Sequence, residues 1–365
     1  MKGKIKEQQH YVWRHYLESW IVDGDKKKRL WCYEKHRVFG GNPSLRPHKK
    51  INRDKYFYEI KSLNRDEIEY FIRLCTPPIY QEMMRCYIEQ QQGHIKIADP
   101  VNWVKDCLAK QFGDYDNIPK ELLNQANDIS NKVNEHIKNT FENEHEKIEK
   151  NALKYKWLDK LRSGCSDFFC LDDERYLFLQ FVLTQHFRTE ISRETFSTTH
   201  RGRLDSPKSI ALLSENQIDP QKVNTNNLTN YFTMLYSLCI AEILYKSKAN
   251  LTLNINETNV PFITSDHPVV GWKGPIREAP GGTFYYPISP DTAIIINDKN
   301  KPNKILVCEQ EVDVYNQAIF DLAHKNVFSD TANILEKYIP KSNQGIAEIK
   351  HPVANSHERG RSGGH

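Results

Sequence analysis

At 365 residues the chain is longer than most single compact cores, so one large domain with insertions and two closely packed domains both fit its length. Its 39% hydrophobic and 11% aromatic residues against 27% charged supply enough apolar surface to close a core, which excludes a largely disordered chain. No run approaches the roughly 18 apolar residues of a membrane span, and no apolar segment follows the charged start MKGKIKEQQH. A membrane-spanning helix and a secretory leader are therefore not expected, and the expected compartment is the cytoplasm.

The net charge of +4 is unevenly spread. Residues 1–60 hold fifteen Lys and Arg against seven Asp and Glu, a surplus of eight, so the rest of the chain sums to −4. The runs KKKR (26–29) and RPHKK (46–50), interleaved with Trp31, Tyr33, Tyr56 and Tyr58, suit phosphate contacts with stacking on bases, or are solvated hairpin loops. Eight cysteines, at 32, 75, 86, 107, 165, 170, 239 and 308, show no CxxC spacing and read as mostly unbridged, buried thiols.

In chain order, the first element is QQHYVWRHYLESW, a short amphipathic helix or extended arm that carries His10. The turn-prone DGD at 23–25 precedes a strand over 29–39, and KYFYEI at 55–60 is a second extended piece. At Asn64 the pattern changes: an Asn with Glu67 three residues on, ahead of Ile68, Phe71, Ile72 and Cys75, predicts a capped helix. Residues 79–160, poor in Gly and Pro, predict long solvated helices.

A helix over 172–198 places Phe178, Phe181 and Val182 on one face and then brings Gln185 and Arg188 onto that same face. The Ser, Pro and Asn-rich stretches 197–209 and 215–227 read as a long loop or lid, followed by a buried helix over 227–247. Strands are expected at 250–256, 261–265, 282–289 and 292–297. A closing helix over 309–325 turns Asn316 inward with Val312, Ile319, Phe320 and Ala323.

The expected fold is α+β and mainly helical, with a mixed or antiparallel sheet formed largely by residues 250–307 and the N-terminal strands. A single large domain over 1–335 would comprise an N-terminal β-rich unit (1–62), a helical region (63–247), a β-rich zone (248–308) and the closing helix. Residues 340–365 read as a disordered or artificially appended tail.

An arginine facing a core needs a carboxylate, because its charge cannot be removed near neutral pH. Asp266, at the end of the apolar strand PFITS, is the natural partner for Arg188 through a planar two-pronged contact. Gln185, Ser265 and Asn316 would complete a cluster that binds a carboxylate, phosphate or base edge, or that only fixes how helix and sheet meet. If His10 docks there it becomes the general acid or base, with an ordinary pKa of about 6.5; His186 and His267 compete for that role. No HExxH, CxxC or DxDxDG pattern occurs, so the site carries either no metal or one Mg²⁺ on Asp266. The absence of GxGxxG, P-loop and GxSxG patterns speaks against nucleotide cofactors and a hydrolase elbow.

HYVWRHYLESW, KYFYEI, QHFRTEISR, FITSDHPVV, YYPISPDTAIII and VDVYNQAIFDLAHKNVFS follow one another in an order that resembles the bacterial family called domain of unknown function 4238. The likeness covers most of residues 8–330, and its most specific part is TSDxP (264–268) with YPxSP (286–290). The family's opening motif commonly has Pro after HYV, where this chain has Trp13. The resemblance implies a mainly helical α+β protein of bacterial cytoplasm, associated with mobile elements and phage defence. Its recurrent polar positions match His10, Gln185, Arg188, Ser265, Asp266, Tyr286, Ser289 and Asn316.

Two functions follow as expectations. One is a hydrolase-like, nuclease-type effector on nucleic acid or a nucleotide, with His10, Asp266 and Arg188 catalytic and Gln185, Ser265, Tyr286, Ser289 and Asn316 binding substrate. The other is a non-enzymatic sensor in which the same pocket captures an anionic ligand or a protein partner.

Overall fold

In the computed structural model, residues 6–35, 41–113, 117–271, 284–297 and 302–340 are described. The chain begins with β1 (Gln8–His10), α1 (Arg14–Leu17), β2 (Arg29–Glu34), β3 (Ser44–Pro47) and β4 (Arg53–Lys55). β1 pairs antiparallel with β4, His10 opposite Arg53. The expected strand over 55–60 does not extend past Lys55. Tyr56 takes a left-handed φ of 53°, and Ile60 N–H bonds instead to the Ile137 carbonyl at 2.9 Å. The strand expected over 29–39 is observed to Glu34, and residues 36–40 lie outside the described ones.

The capped helix is present. Asn64 accepts from Glu67 N–H at 2.9 Å and the Glu67 carboxylate accepts from Asn64 N–H at 2.8 Å, starting α2 (Arg65–Glu69), which continues as a π-helical turn to Cys75. α3 (Pro78–Phe112) and α4 (Lys120–Tyr155) are the two long helices, followed by the short α5 (Trp157–Arg162).

The helix expected over 172–198 is two. α6 (Asp172–Phe187) ends with Arg188 as its cap, Thr189 is extended (ψ 158°), and α7 (Glu190–Leu204) starts anew. The lid expected after it is largely helical: α8 (Pro207–Glu215) is capped by Ser206 with Pro207 in its first turn, and Asp219 and Asn224 cap two short 3₁₀ turns. Ser, Asp, Asn and Pro here serve as helix starts, the other use of the same residue types.

α9 (Thr229–Lys246) packs on α6 in the core. β5 (Asn250–Asn256), β6 (Thr264–Ser265), β7 (Val270–Gly271), β8 (Phe284–Ser289), β9 (Thr292–Asn297) and β10 (Lys304–Val307) follow, then α10 (Glu309–Leu322), β11 (Asn326–Ser329) and α11 (Ala332–Tyr338). The protein is thus α+β and mainly helical, with small mixed and antiparallel sheets.

The strands divide differently from the single sheet expected. One five-stranded sheet runs β10-β5-β9-β8-β7, with β10 parallel to β5 and the other pairs antiparallel; one four-stranded antiparallel sheet runs β3-β2-β11-β6. The N-terminal β2, with β3 beside it, therefore pairs with β11, a strand that directly follows the stretch read as the closing helix. That helix stops at Leu322 because the N–H groups of 324–326 bond elsewhere. The tail expectation for 340–365 lies outside the described residues beyond 340. None of the eight cysteines is in a disulfide, and only Cys32 is buried; Cys86, Cys170 and Cys308 are exposed, correcting the expectation of buried thiols.

Candidate functional site

Arg188 is 2% exposed at the end of α6. Its Nη1 donates to Glu149 Oε1 at 2.5 Å, its Nη2 to the His10 carbonyl at 2.6 Å and its Nε to the Tyr11 carbonyl at 3.3 Å. The expected pair with Asp266 is not formed. The carboxylate comes from α4, a helix read as solvated, whose buried stripe includes Phe141, His145 and Ala152. The signal for this face was there: Glu142 and Glu149 are seven residues apart and flank His145 on one side of the helix.

One guanidinium thus serves two carboxylates. Burial pushes Glu149 up against the pull of Arg188, and burial lifts Glu142 to about 7, again opposed by Arg188. Glu142 Oε2 and His145 Nδ1 are buried without a hydrogen-bond partner, and burial, then Arg188 and Arg193, holds His145 far below its usual range.

Asp266 has a different task. Its Oδ1 accepts from His324 N–H at 2.9 Å and its Oδ2 from Lys325 N–H at 2.7 Å and Asn326 N–H at 2.9 Å. Burial raises its pKa and these three donors oppose that rise. Both oxygens face N–H groups, which is the wrong surrounding for a Mg²⁺ ion on Asp266.

Its neighbours are engaged in the same way. Ser265 Oγ accepts from His267 N–H at 3.1 Å. Asn316, fully buried, accepts from Ile263 N–H at 2.9 Å and donates to the Pro261 carbonyl at 2.8 Å, so one amide closes the polar ends of the segment before β6. His186 Nδ1 donates to the Val269 carbonyl at 2.6 Å, and His267 Nδ1 lies 2.8 Å from Thr189 Oγ1. Burial lowers His186 to about 4 and holds His267 far below its usual range, so both imidazoles are neutral near pH 7.

The remaining substrate-binding candidates lie apart from Asp266. Tyr286 is fully buried, stacked on Tyr16 at 4.9 Å, and its hydroxyl has no partner. Burial, chiefly, holds its hydroxyl far above the ordinary tyrosine range. Gln185, one turn before Arg188, is buried with its Nε2 unpartnered. Ser289 donates to Asp291 and lines a recess of about 490 Å³ with His15, Glu18, Ser19, Arg162 and Pro290. The eight sequence candidates are therefore dispersed: Arg188 takes the His10 carbonyl with Gln185 one turn before it, Ser265, Asp266 and Asn316 hold backbone around β6, Tyr286 packs on Tyr16, and Ser289 lines the recess.

The His10 carbonyl serves Arg188, while its imidazole has another partner. Its Nε2 donates to the Lys49 carbonyl at 3.4 Å. Its pKa falls to about 4, chiefly through burial, then through Arg188, Arg14 and Arg53, against the Lys49 carbonyl.

Close by, His48 joins the two basic runs: its N–H and its Nδ1 both donate to the Lys28 carbonyl, at 3.3 and 2.8 Å. Lys26, Lys27, Lys28, Lys49 and Lys50 are exposed, and none is in an ion pair within 4 Å among the described residues. Arg29 and Arg46 are paired, with Asp25 at 2.7 Å and Glu34 at 2.6 Å. Of the aromatics expected to stack on bases, Tyr58 and Tyr33 are buried, Tyr33 against Phe320, while Trp31 and Tyr56 remain half-buried, Tyr56 with Lys138 over its ring at 4.3 Å.

One group of metal-ligand side chains comes together among the described residues, Glu190 and Glu194 of α7 with His324. No helix of the described residues is long and apolar enough to cross a membrane.

Compared with known families, residues 8–333 match the family described as "Protein of unknown function (DUF4238)". No curated protein and no solved structure matches the chain.

Proposed function

The chain belongs to the DUF4238 family, and from that premise we propose that it binds the phosphate backbone of nucleic acid through the basic face of its N-terminal unit. One observation carries this reading: two lysine runs twenty residues apart are held side by side by His48, with five exposed, unpaired ammonium groups. A surface that holds five lysines together with no ion pair to any of them among the described residues suits a polyanion, since each phosphate contact releases condensed counterions. Trp31 and Tyr56, half-buried in the same N-terminal unit, are the rings left there for stacking on unpaired bases.

A hydrolytic reading is supported by one further feature. His10 is neutral near pH 7 and close to Arg14, Arg53 and Arg188; with a pKa of about 4 it is a weak base, and a phosphate drawn to those arginines would have to raise that value for the imidazole to take a proton efficiently. Arg188, through the His10 carbonyl, supports this reading only as a group that positions His10; Asp266, engaged with the N–H groups of residues 324–326, takes no part in it.

Fluorescence anisotropy with a labelled single strand, from about 50 to about 300 mM salt, tests both. If four phosphates are contacted, log affinity falls against log salt with a slope of about −3. The variant Lys27→Glu, Lys28→Glu, Lys49→Glu, Lys50→Glu is expected to stay folded and lose that binding. Salt-independent binding, or none at the lowest salt, overturns the proposal. Cleavage of the same strand that disappears in His10→Asn would assign the hydrolytic reading; a strand left intact by wild type removes it.

A further inference from the structure

We infer that Glu190, Glu194 and His324 form a binding site for one divalent transition-metal ion. Glu190 opens α7 and Glu194 lies one turn on, so their carboxylates share a helix face. His324 reaches them from the segment between α10 and β11. Its Nε2 is 3.8 Å from Glu190 Oε1 and 3.7 Å from Glu194 Oε1, and the three ligand atoms lie within 4.8 Å of one another. These separations are too long for N–H···O bonds. They come close to the edge of about 3.4 Å between two ligand atoms, each about 2.0–2.1 Å from a tetrahedral ion.

Two independent features support a built site. Glu190 keeps its second oxygen, Oε2, buried and without a hydrogen-bond partner, while its Oε1 is the atom near His324 and Lys325. The backbone that presents His324 is clamped by Asp266, whose carboxylate takes the N–H groups of His324, Lys325 and Asn326. Asp266 would then act as a positioning residue, orienting the imidazole as an outer partner orients a metal ligand. Lys325 Nζ sits on Glu190 Oε1 and is half exposed, so it supplies positive charge there and competes with an arriving ion. One imidazole and two carboxylates suit Zn²⁺, Mn²⁺, Fe²⁺ or Co²⁺ better than Ca²⁺ or Mg²⁺, which prefer all-oxygen shells. Three protein ligands leave a coordination position open.

The probe is Co²⁺ added to the chelator-treated full chain, followed by its visible absorption bands and by calorimetry. Binding of one equivalent is expected, weakened at least about tenfold by Glu194→Gln and by His324→Gln. Lys325→Met, which removes the competing ammonium, is expected to tighten it. Glu194 is 59% exposed as a side chain, so its variant tests binding without disturbing the fold. No saturable binding by wild type and by Lys325→Met overturns the assignment. So does binding that survives both ligand variants, because the ion would then sit on other histidines or on thiols.

Discussion

A guanidinium as buried as Arg188 has to be neutralised where it lies, and Glu149 with the His10 and Tyr11 carbonyls does this. Removing the cation alone, as in Arg188→Met, leaves Glu149 buried without its charge partner, and urea denaturation is expected to show a loss of about 3–5 kcal/mol. Arg188→Met with Glu149→Leu should recover part of that loss, since an apolar pair of similar volume costs less than a lone buried charge. Glu142 adds a pH dependence. Its folded pKa is raised to about 7, so the unfolded chain loses this proton at lower pH than the folded one, and stability falls as pH rises from about 4.5 to about 7. Glu142→Gln should match wild type near pH 4.5 and exceed it above pH 7, read from melting temperature against pH. Asp266→Asn, with one acceptor oxygen and an amide donor facing N–H groups, should cost about 2–3 kcal/mol in the same denaturation assay. That Arg188 and Asp266 are buried was legible from their places in apolar patterns. Their partners were harder to read: the spacing of Glu142, His145 and Glu149 marks one face of α4 but is masked by that helix's polar composition, and the partners of Asp266 are backbone groups, which have no residue signature.

At the scale of elements, the clearest local signal was the Asn64–Glu67 box, whose two hydrogen bonds involve residues three apart and need nothing distant. Asn64→Ala is expected to lower stability by about 1–2 kcal/mol in chemical denaturation, at the upper end because Asn64 Nδ2 also donates to the Lys222 carbonyl at 2.8 Å. The break between α6 and α7 was not legible, because Arg188 and Thr189 are acceptable inside a helix. Thr189 leaves helical geometry where its hydroxyl meets Ser192 at 3.1 Å and His267 at 2.8 Å, a contact across 78 residues. The supposed lid at 197–227 failed for a related reason: Ser, Asn and Pro mark chain punctuation, and composition alone does not say whether a loop or a capped helix follows.

For the whole molecule, β11 is the element that joins distant parts. It pairs with β2 on one side and β6 on the other, and its leading segment fills the oxygens of Asp266. A chain ending at Ala323 leaves two strands and a buried carboxylate without partners, so it should fail to give a cooperative melt or a native near-ultraviolet circular dichroism signal. The sequence by itself determined the α+β class, the long helices, the inward faces of α6 and α10, the strands at 250–256 and 292–297, and the positive charge of the first sixty residues. These follow from periodicity and from bonds between near neighbours, which a linear pattern records. Only the tertiary structure decided that Arg188 belongs to Glu149, that Asp266 holds the segment before β11, that the strands form separate sheets, and that two lysine runs share one face. Glu149 and Arg188, Asp266 and residues 324–326, β11 and β2, and Lys28 and His48 are all at least twenty positions apart, and no local pattern carries the information about which distant group arrives.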